Sequence, residues 1–182
     1  YEGALAETNV PQITCNVVFS EKGTFVMKTF TEGARDAIGR INLSGEITGE
    51  FSSGLSVASS PQAITAGPDG NLWFTDTGAT PAIGRVSPGG EITEFTLSSE
   101  TLPEAITAGP DGNLWFTASG ASPGIGRITP GGETTEFDVG EKSVPRKITA
   151  GCGGDVVWFS DDGGLRAIGR VTSEGEITEF DI

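Results

Sequence analysis

The 182-residue sequence contains no histidine. Imidazole is the side chain that most readily takes up or gives a proton near neutral pH. Its absence excludes Ser-His-Asp and Cys-His catalytic arrangements within these residues, and it excludes histidine-ligated metal centres. Acid–base chemistry in this chain would have to use carboxylates or other groups.

Basic residues are also scarce, since 11 Lys and Arg stand against 25 Asp and Glu, for a net charge of −14. Proteins that bind a phosphate backbone use clusters of Lys and Arg, so a nucleic-acid partner is not expected. The acidic surface suits a neutral or cationic ligand. Long apolar runs are absent as well, so the sequence predicts no membrane span.

Cysteine is limited to Cys15 and Cys152. The two are far apart in the sequence and match no metal-binding spacing. They are either two free, buried small residues or a disulfide formed in an oxidising compartment, and the sequence leaves both open.

What the sequence has in abundance is repetition. The string ITAGPDGNLWFT occurs at 64–75 and again at 106–117, and the tripeptide Ile-Gly-Arg begins at residues 38, 83, 125 and 168. Steps of 42 to 45 residues between these anchors predict four structural repeats. We place them at 11–59, 60–102, 103–144 and 145–182, in one domain spanning 1–182.

Each repeat is predicted to form four short strands. AITAG is followed by the turn Pro68-Asp69-Gly70, then by NLWFT, AIGRV and ITEF. Proline presets φ, aspartate caps the turn and glycine takes positive φ. Apolar residues face both sides of NLWFT, which is typical of a strand between two sheets. The sequence therefore predicts an all-β propeller of four-stranded antiparallel blades, about four in this chain.

Two recurring features have structural interpretations. Gly84, Gly126 and Gly169 fall in mid-strand, where we expect a neighbouring tryptophan ring to cover the bare backbone. An arginine recurs once per blade in step with a glutamate, and we expect each pair to form a partly exposed ion pair. The arginines are Arg40, Arg85, Arg127 and Arg170, and the glutamates are Glu50, Glu94, Glu136 and Glu179.

The strings GPDGNLWFT and IGRITPGGETTEF resemble the repeat of the virginiamycin B lyases, also called streptogramin lyases. The resemblance is close over residues 60–182 and looser over 11–59. It implies a seven-bladed propeller that linearises cyclic streptogramin antibiotics by an elimination needing a divalent metal, usually magnesium. It marks the repeat family more strongly than the activity, because the repeated letters are mostly scaffold.

The resemblance also implies where a site would lie. The family's histidines occupy a Pro-His-Gly/Ala-Ile context at the start of the innermost strand, and its glutamate follows Trp-Phe-Thr. The first context holds Gln62, Glu104 and Arg146 here, and the second holds Asp76, Ala118 and Asp161. The candidate ligand-binding residues at the channel mouth are Gln62, Asp76, Glu104, Arg146 and Asp161.

No cofactor is required by these residues. An oxygen-only cluster of the carboxylates would suit Mg²⁺ or Ca²⁺, whereas the simpler interpretation is that they are solvated acids at strand ends.

Without histidine, we expect a non-catalytic, secreted scaffold or binding module for a small molecule, peptide or glycan. The acidic surface and a first residue, Tyr1, other than Met favour this reading. One alternative is a fragment of a lyase whose catalytic blades are missing. Another is a multivalent lectin, because repeated blades repeat their pockets.

Four blades are about half of the implied seven. An open array would expose broad apolar faces. The chain would therefore close as a small ring, pair with a second copy, or continue in a longer polypeptide.

Overall fold

The computed structural model describes the backbone at 17–20 and 23–28, together with residues 36–42, 44–152, 154–164 and 166–182. These residues form sixteen β-strands in four separate antiparallel sheets of four strands each. The described residues include no helix, and thus none long and apolar enough to cross a membrane. The predicted all-β class and four-stranded blades are confirmed.

Within each sheet the strands pair in chain order, so each sheet is one blade. Blade 1 comprises β1 (Val17–Ser20), β2 (Gly23–Lys28), β3 (Ala37–Ile41) and β4 (Ile47–Phe51). Blade 2 comprises β5 (Pro61–Ala66), β6 (Leu72–Asp76), β7 (Ala82–Val86) and β8 (Ile92–Thr96). Blade 3 comprises β9 (Thr101–Ala108), β10 (Leu114–Gly120), β11 (Gly124–Ile128) and β12 (Thr134–Asp138). Blade 4 comprises β13 (Pro145–Ala150), β14 (Val156–Asp161), β15 (Ala167–Thr172) and β16 (Ile177–Asp181).

The repeated Pro-Asp-Gly letters form the turn between the first two strands of a blade. The Asp69 carboxylate accepts hydrogen bonds from the Asn71 backbone N at 3.2 Å and the Asn71 amide at 2.7 Å. It also accepts one from Trp73 Nε1 at 3.0 Å. Gly70 has a φ of 76°, which glycine adopts without strain. Blade 3 repeats the arrangement at Asp111, so the repeated string is a self-supporting turn that fixes the tryptophan.

The hydrophobic core lies between blades rather than within one. Burial of apolar side chains is the main stabilising term in folding, so each blade depends on its neighbours. The cluster between blades 1 and 2 contains Ile38, Ile64, Leu72, Phe74 and Val86. The cluster between blades 2 and 3 contains Trp73, Ile83, Leu97, Ile106, Leu114, Phe116, Ala118 and Ile128. The cluster between blades 3 and 4 contains Trp115, Ile125, Val157, Phe159 and Val171.

The aromatic ring over each mid-strand glycine is phenylalanine, so the predicted tryptophan is wrong. Phe116 lies directly across from Gly126 in the strand pairing, and a Cβ built on Gly126 would overlap its ring. The same holds for Gly84 under Phe74 and Gly169 under Phe159. Tryptophan precedes phenylalanine in the strand, so it points to the opposite face of the sheet.

The predicted arginine–glutamate pairs are also wrong for blades 2 and 3, because the two residues face opposite sides of the sheet. In the register of the two strands, Arg85 lies opposite Thr93, whereas Glu94 lies opposite Gly84. The Arg85 guanidinium instead lies 5.6 Å from the centroid of Trp73, a cation–π distance. Arg127 lies 5.6 Å from Trp115 in the same way.

These arginines connect each blade to the next. Arg40 Nη1 donates to the Pro88 carbonyl at 3.3 Å, Arg85 Nη1 to the Pro130 carbonyl at 3.0 Å, and Arg127 Nη1 to the Ser173 carbonyl at 2.7 Å. Each acceptor lies in the turn between the third and fourth strands of the following blade.

A phenylalanine accompanies each of these arginines. Phe51, Phe95 and Phe137 press against Gly90, Gly132 and Gly175, the positive-φ glycines of the following blade's turn. Adding a side chain to one of these glycines would displace the ring. The arginine, the phenylalanine and the turn glycine together form what we call the inter-blade clamp.

Replacing the mid-strand glycine by alanine should test the phenylalanine packing. Gly126→Ala forces Phe116 from a fully buried position, and overpacking of this kind costs about 1–3 kcal/mol. Gly131→Ala is the control, because a Cβ there would meet only Thr129 Oγ1 at 3.5 Å, an ordinary contact. Urea unfolding of both variants measures the difference. Equal stabilities would contradict the packing described here.

Candidate functional site

The first strand carries a β-bulge near its start in blades 2, 3 and 4. In blades 2 and 4 the pairing register shifts between Pro61 and Ile64 and between Pro145 and Ile148. In blade 3 the shift lies between Phe116 and Ala118 of the partner strand. The bulged segments contain the three candidates Gln62, Glu104 and Arg146. Bulges re-aim side chains and are common beside functional sites.

Buried threonines hold the bulges in place across blades. Thr75 Oγ1 accepts from the Ala63 backbone N at 3.0 Å and donates to the Glu104 carbonyl of the next blade at 3.2 Å. Thr117 Oγ1 does the same with Ala105 N and the Arg146 carbonyl, each at 3.1 Å. The threonine of Trp-Phe-Thr therefore sets the spacing of adjacent first strands, β5 to β9 and β9 to β13.

Glu104 and Arg146 come together across two blades. Arg146 Nη1 donates to both Glu104 carboxylate oxygens, at 2.7 and 3.0 Å, and Arg146 Nε lies 4.0 Å from Asp162 Oδ2. The Glu104 hydrogen bonds and charge raise the pKa of Arg146. Both side chains remain accessible, at 46% for Arg146 and 25% for Glu104, so the pair adds little stability.

Gln62 occupies the same bulge position in blade 2, where its amide donates to Ser60 Oγ at 3.0 Å. We refer to Gln62, Glu104 and Arg146 as the mouth residues. They present hydrogen-bond donors, acceptors and both signs of charge to solvent on adjacent strands.

The other two candidates, Asp76 and Asp161, are buried inside their blades. Asp76 Oδ1 accepts from the Ser60 and Gly78 backbone N atoms, each at 2.7 Å, while the Ser59 hydroxyl donates to Oδ2. Asp161 Oδ1 likewise accepts from two backbone N atoms, those of Val144 at 2.7 Å and Gly163 at 2.6 Å. Both carboxylates tie the connection between two blades to the end of the second strand.

Two carboxyl pairs were missed by sequence reasoning. Burial raises the pKa of Glu94, and the neighbouring Asp76 carboxylate raises it further. Burial and then Asp161 raise the pKa of Glu179 in blade 4. The sequence does contain a signal for these pairs. In blades 2 and 4 an aspartate follows Trp-Phe-Thr or Trp-Phe-Ser, and the same blade carries the recurring glutamate. In blade 3 Ala118 replaces the aspartate, and Glu136 accepts from Thr101 Oγ1 at 3.2 Å.

The carboxylates present do not fit a divalent metal site. Within the described ranges, no three Cys, Asp or Glu side chains form a group that could hold a metal ion. The Asp76 oxygens are already engaged by two backbone N–H groups and a hydroxyl, and hard cations need several free oxygen ligands.

The remaining sequence candidates lie elsewhere. Cys152 is free and exposed, so the predicted burial is wrong for this cysteine, and Cys15 falls outside the described residues. A cavity of about 580 Å³ follows the connection between blades 1 and 2, lined by Asp36, Ser52, Ser53 and residues 55–59. None of the mouth residues lines it.

The model of the virginiamycin B lyase family matches residues 1–182. A search of curated proteins gave no match.

Three solved structures of lyases are similar to the chain. A streptogramin B lyase is 32% identical, with a TM-score of 0.79, over 96% of this chain and 57% of that one. Selenomethionine-substituted virginiamycin B lyase from Staphylococcus aureus is 36% identical, with a TM-score of 0.80, over 96% of this chain and 58% of that one. A catalytically inactive histidine-to-alanine variant of the Staphylococcus aureus enzyme, solved with quinupristin, is 37% identical, with a TM-score of 0.78, over 97% and 58%. The chain thus spans less than three fifths of the length of these relatives.

The raised pKa of Glu94 predicts a pH dependence of stability. Because the folded state favours the protonated form, Glu94 contributes fully below its ordinary value of 4.5, and the contribution is lost as pH rises through the raised pKa. In Glu94→Gln the amide can donate to Asp76 at any pH. We expect this variant to exceed the parent in free energy of unfolding at pH 7 by roughly 0.2–1 kcal/mol, a range discounted for partial exposure.

The control is Glu136→Gln, which has no acidic partner at Ala118. Denaturant unfolding from pH 4 to pH 8 should show a shallower decline for Glu94→Gln than for the parent. The same slope in the parent and in Glu94→Gln would refute the raised pKa of Glu94.

Proposed function

The chain belongs to the virginiamycin B lyase family, and from that premise we propose that it is a non-catalytic propeller module that binds a ligand at its mouth residues. Its ligand would be a small polar molecule or peptide. We infer that the module acts outside the cell, and we therefore expect to find the protein in the culture medium of its source.

The observation that carries the non-catalytic part is the absence of histidine. One relative is described as inactive after a single histidine-to-alanine substitution. Gln62, Glu104 and Arg146 stand where the lyase pattern has histidine. A glutamine or a guanidinium is no proton acceptor at neutral pH, and the Glu104 carboxylate is held by Arg146.

Variation among the blades supports binding at the mouth. The strings 64–75 and 106–117 are identical, yet the residue two positions before each string differs, as Gln62 and Glu104. Blade 4 places Arg146 at the same point. A uniform scaffold that presents a different polar side chain on each adjacent strand can contact an asymmetric ligand at several points.

The covered length of the relatives favours a second candidate. Because this chain spans 57–58% of them, it can also be read as four blades of a larger lyase whose catalytic histidines lie in other sequence. Mass measurement of the polypeptide from its natural source, together with assay for streptogramin ring opening, separates the two. Ring opening by a longer, histidine-containing polypeptide would favour the enzyme.

The binding proposal is tested with quinupristin, the compound present with one relative. Calorimetric titration of the 182-residue chain should show binding, and chromatography after prolonged incubation should show intact quinupristin. Arg146→Met together with Glu104→Gln should weaken binding by about tenfold or more, equivalent to roughly 1.4 kcal/mol.

Lys142→Met serves as the matched control, since it also removes one cation but lies outside the mouth. Ring opening by the chain would overturn the non-catalytic reading. Absence of quinupristin binding, with glycan-array binding lost on adding free sugar, would favour the lectin alternative instead.

A further inference from the structure

The connection from blade 1 to blade 2 is longer than the two that follow it. Nine residues, 52–60, lie between the phenylalanine that ends one blade and the proline that begins the next, whereas seven lie there at 96–102 and at 138–144. We call residues 52–60 the long connection. Within it, the Ser56 backbone N donates to Glu94 Oε2 at 3.0 Å. The long connection is therefore attached to the outer strand of the blade that it enters.

Glu94 belongs to a carboxyl pair with Asp76. The two residues lie on β8 and β6, on either side of β7, and the strand register places Glu94 opposite Gly84 and Asp76 opposite Ala82. Glycine and alanine put little bulk between the carboxyl groups, which form a hydrogen bond with each other. An ionised carboxylate can only accept, so this bond needs a proton on one of the two.

The contacts assign that proton to Glu94. Asp76 is fully buried and accepts from three donors, the Ser60 and Gly78 backbone N atoms and the Ser59 hydroxyl. Glu94 Oε1 is also buried, and no donor reaches it from the residues that the structure describes. A buried oxygen without a partner is costly, and a proton on Glu94 removes this cost by making the group a donor to Asp76. Burial and the Asp76 charge accordingly raise the pKa of Glu94.

Asp76 is the charged group that acts on Glu94. The long connection contributes five serines and no ionisable side chain. Arg85, on the intervening strand β7, faces the opposite side of the sheet, where it stacks on Trp73. The titration that separates the pair is therefore that of Glu94. The other charged residues on the elements packed around it, in blade 1 and in the turn between β7 and β8, are Asp36, Arg40, Glu50 and Glu91.

The long connection also contains a strained residue. Ala58 has a φ of 58°, in the left-handed region that alanine adopts at a cost in free energy. Bonds to the acid pair lie on both sides of it, from Ser56 to Glu94 and from Ser59 to Asp76. Strained backbone persists only while the surrounding contacts hold it. Loss of the Ser56 bond would remove one of these contacts, so the strain favours opening.

We propose that the long connection is a pH-dependent latch, closed by the hydrogen-bonded pair of Glu94 and Asp76 and opened when both carboxyl groups are ionised. Asp76 is fixed by its three donors, so the half-buried Glu94 turns toward solvent and leaves the Ser56 backbone N without its acceptor. The latch reaches the mouth through Ser60, whose Oγ accepts from the Gln62 amide at 3.0 Å. Only this last step rests on the proposed role of the mouth residues in binding.

The closed latch is the low-pH state. Because closure favours the protonated form of Glu94, its stabilising effect is complete below the ordinary value of 4.5. The effect is lost as pH rises through the raised pKa of Glu94. Opening therefore proceeds toward neutral and alkaline pH.

Amide exchange followed by NMR from pH 5 to pH 8 tests the latch on the 182-residue chain without a ligand. Protection of the Ser56 amide, corrected for the intrinsic exchange rate at each pH, should fall by roughly two- to fivefold, the range that a partly exposed charge pair supports. The side-chain amide signals of Gln62 should shift over the same pH range. The Thr101 amide, which donates to the Ser98 carbonyl at 3.0 Å in the next connection, is the internal reference and should keep its protection.

Two matched variants assign the response to the acid pair. Glu94→Gln should keep the latch closed at every pH, because its amide donates to Asp76 while its carbonyl accepts from Ser56. Glu136→Gln makes the same change in blade 3, where Ala118 supplies no acidic partner. It should respond to pH as the parent does.

Several outcomes would overturn the proposal. An unchanged Ser56 protection in the parent, or an equal fall in the parent and in Glu94→Gln, would show that the pair does not hold the long connection. A parallel fall at Thr101 would show general loosening of the fold instead of a latch. Constant Gln62 signals beside falling Ser56 protection would overturn the link to the mouth. Quinupristin has no part in these measurements, so failure of the latch and failure of the proposed function are distinguishable.

Discussion

The structure depends on the packing of each blade against the next. A four-stranded blade with apolar residues on both faces cannot bury them alone, and all three described core clusters lie between neighbouring blades. The inter-blade clamp adds specific, directional contacts to this apolar packing. A planar guanidinium stacks on rings of its own blade and donates to a turn carbonyl of the next, while phenylalanine packs on a glycine that has no side chain to exclude it.

The residues that hold the blades together differ from those that form the candidate site. The letters that repeat most faithfully make the Pro-Asp-Gly turn, the tryptophan that it anchors and the threonine that links first strands. The letters that vary fall in the bulge beside them, at Gln62, Glu104 and Arg146. A fixed frame can therefore present different side chains at one end without disturbing the interfaces.

Much of the fold was predictable because the sequence repeats at a regular interval. Strand length, turn chemistry and the 42- to 45-residue period led to an all-β propeller, and the repeat letters led to the family. Which ring covers Gly126 was not predictable with the same ease, since Trp115 and Phe116 are adjacent and only the register decides which faces the glycine. The partner of Arg85 was missed because it is a backbone carbonyl in another blade, 45 residues away.

The candidate site was predicted only as a set of positions. Glu104 and Arg146 are 42 residues apart, and blade-to-blade packing brings them into contact. Asp76 occupies the position after Trp-Phe-Thr that the family pattern assigns to a site residue. Backbone N–H groups nevertheless surround its carboxylate. Sequence alone does not distinguish an acid at the mouth from one buried at a strand end, because the groups that enclose Asp76 are the backbone N–H groups of Ser60 and Gly78, which residues of almost any type can supply.

The central claim is that blades are held together by the clamp, and a double-mutant cycle between Gly175→Ala and Phe137→Ala tests it most directly. The positive-φ strain of alanine at Gly175 is present with either residue at 137, so it cancels in the cycle and leaves the contact between blades 3 and 4. We predict that Gly175→Ala lowers the free energy of unfolding by at least about 1 kcal/mol more when residue 137 is phenylalanine than when it is alanine. Equal costs in both backgrounds would show that the ring and the turn are not coupled, and would contradict the account.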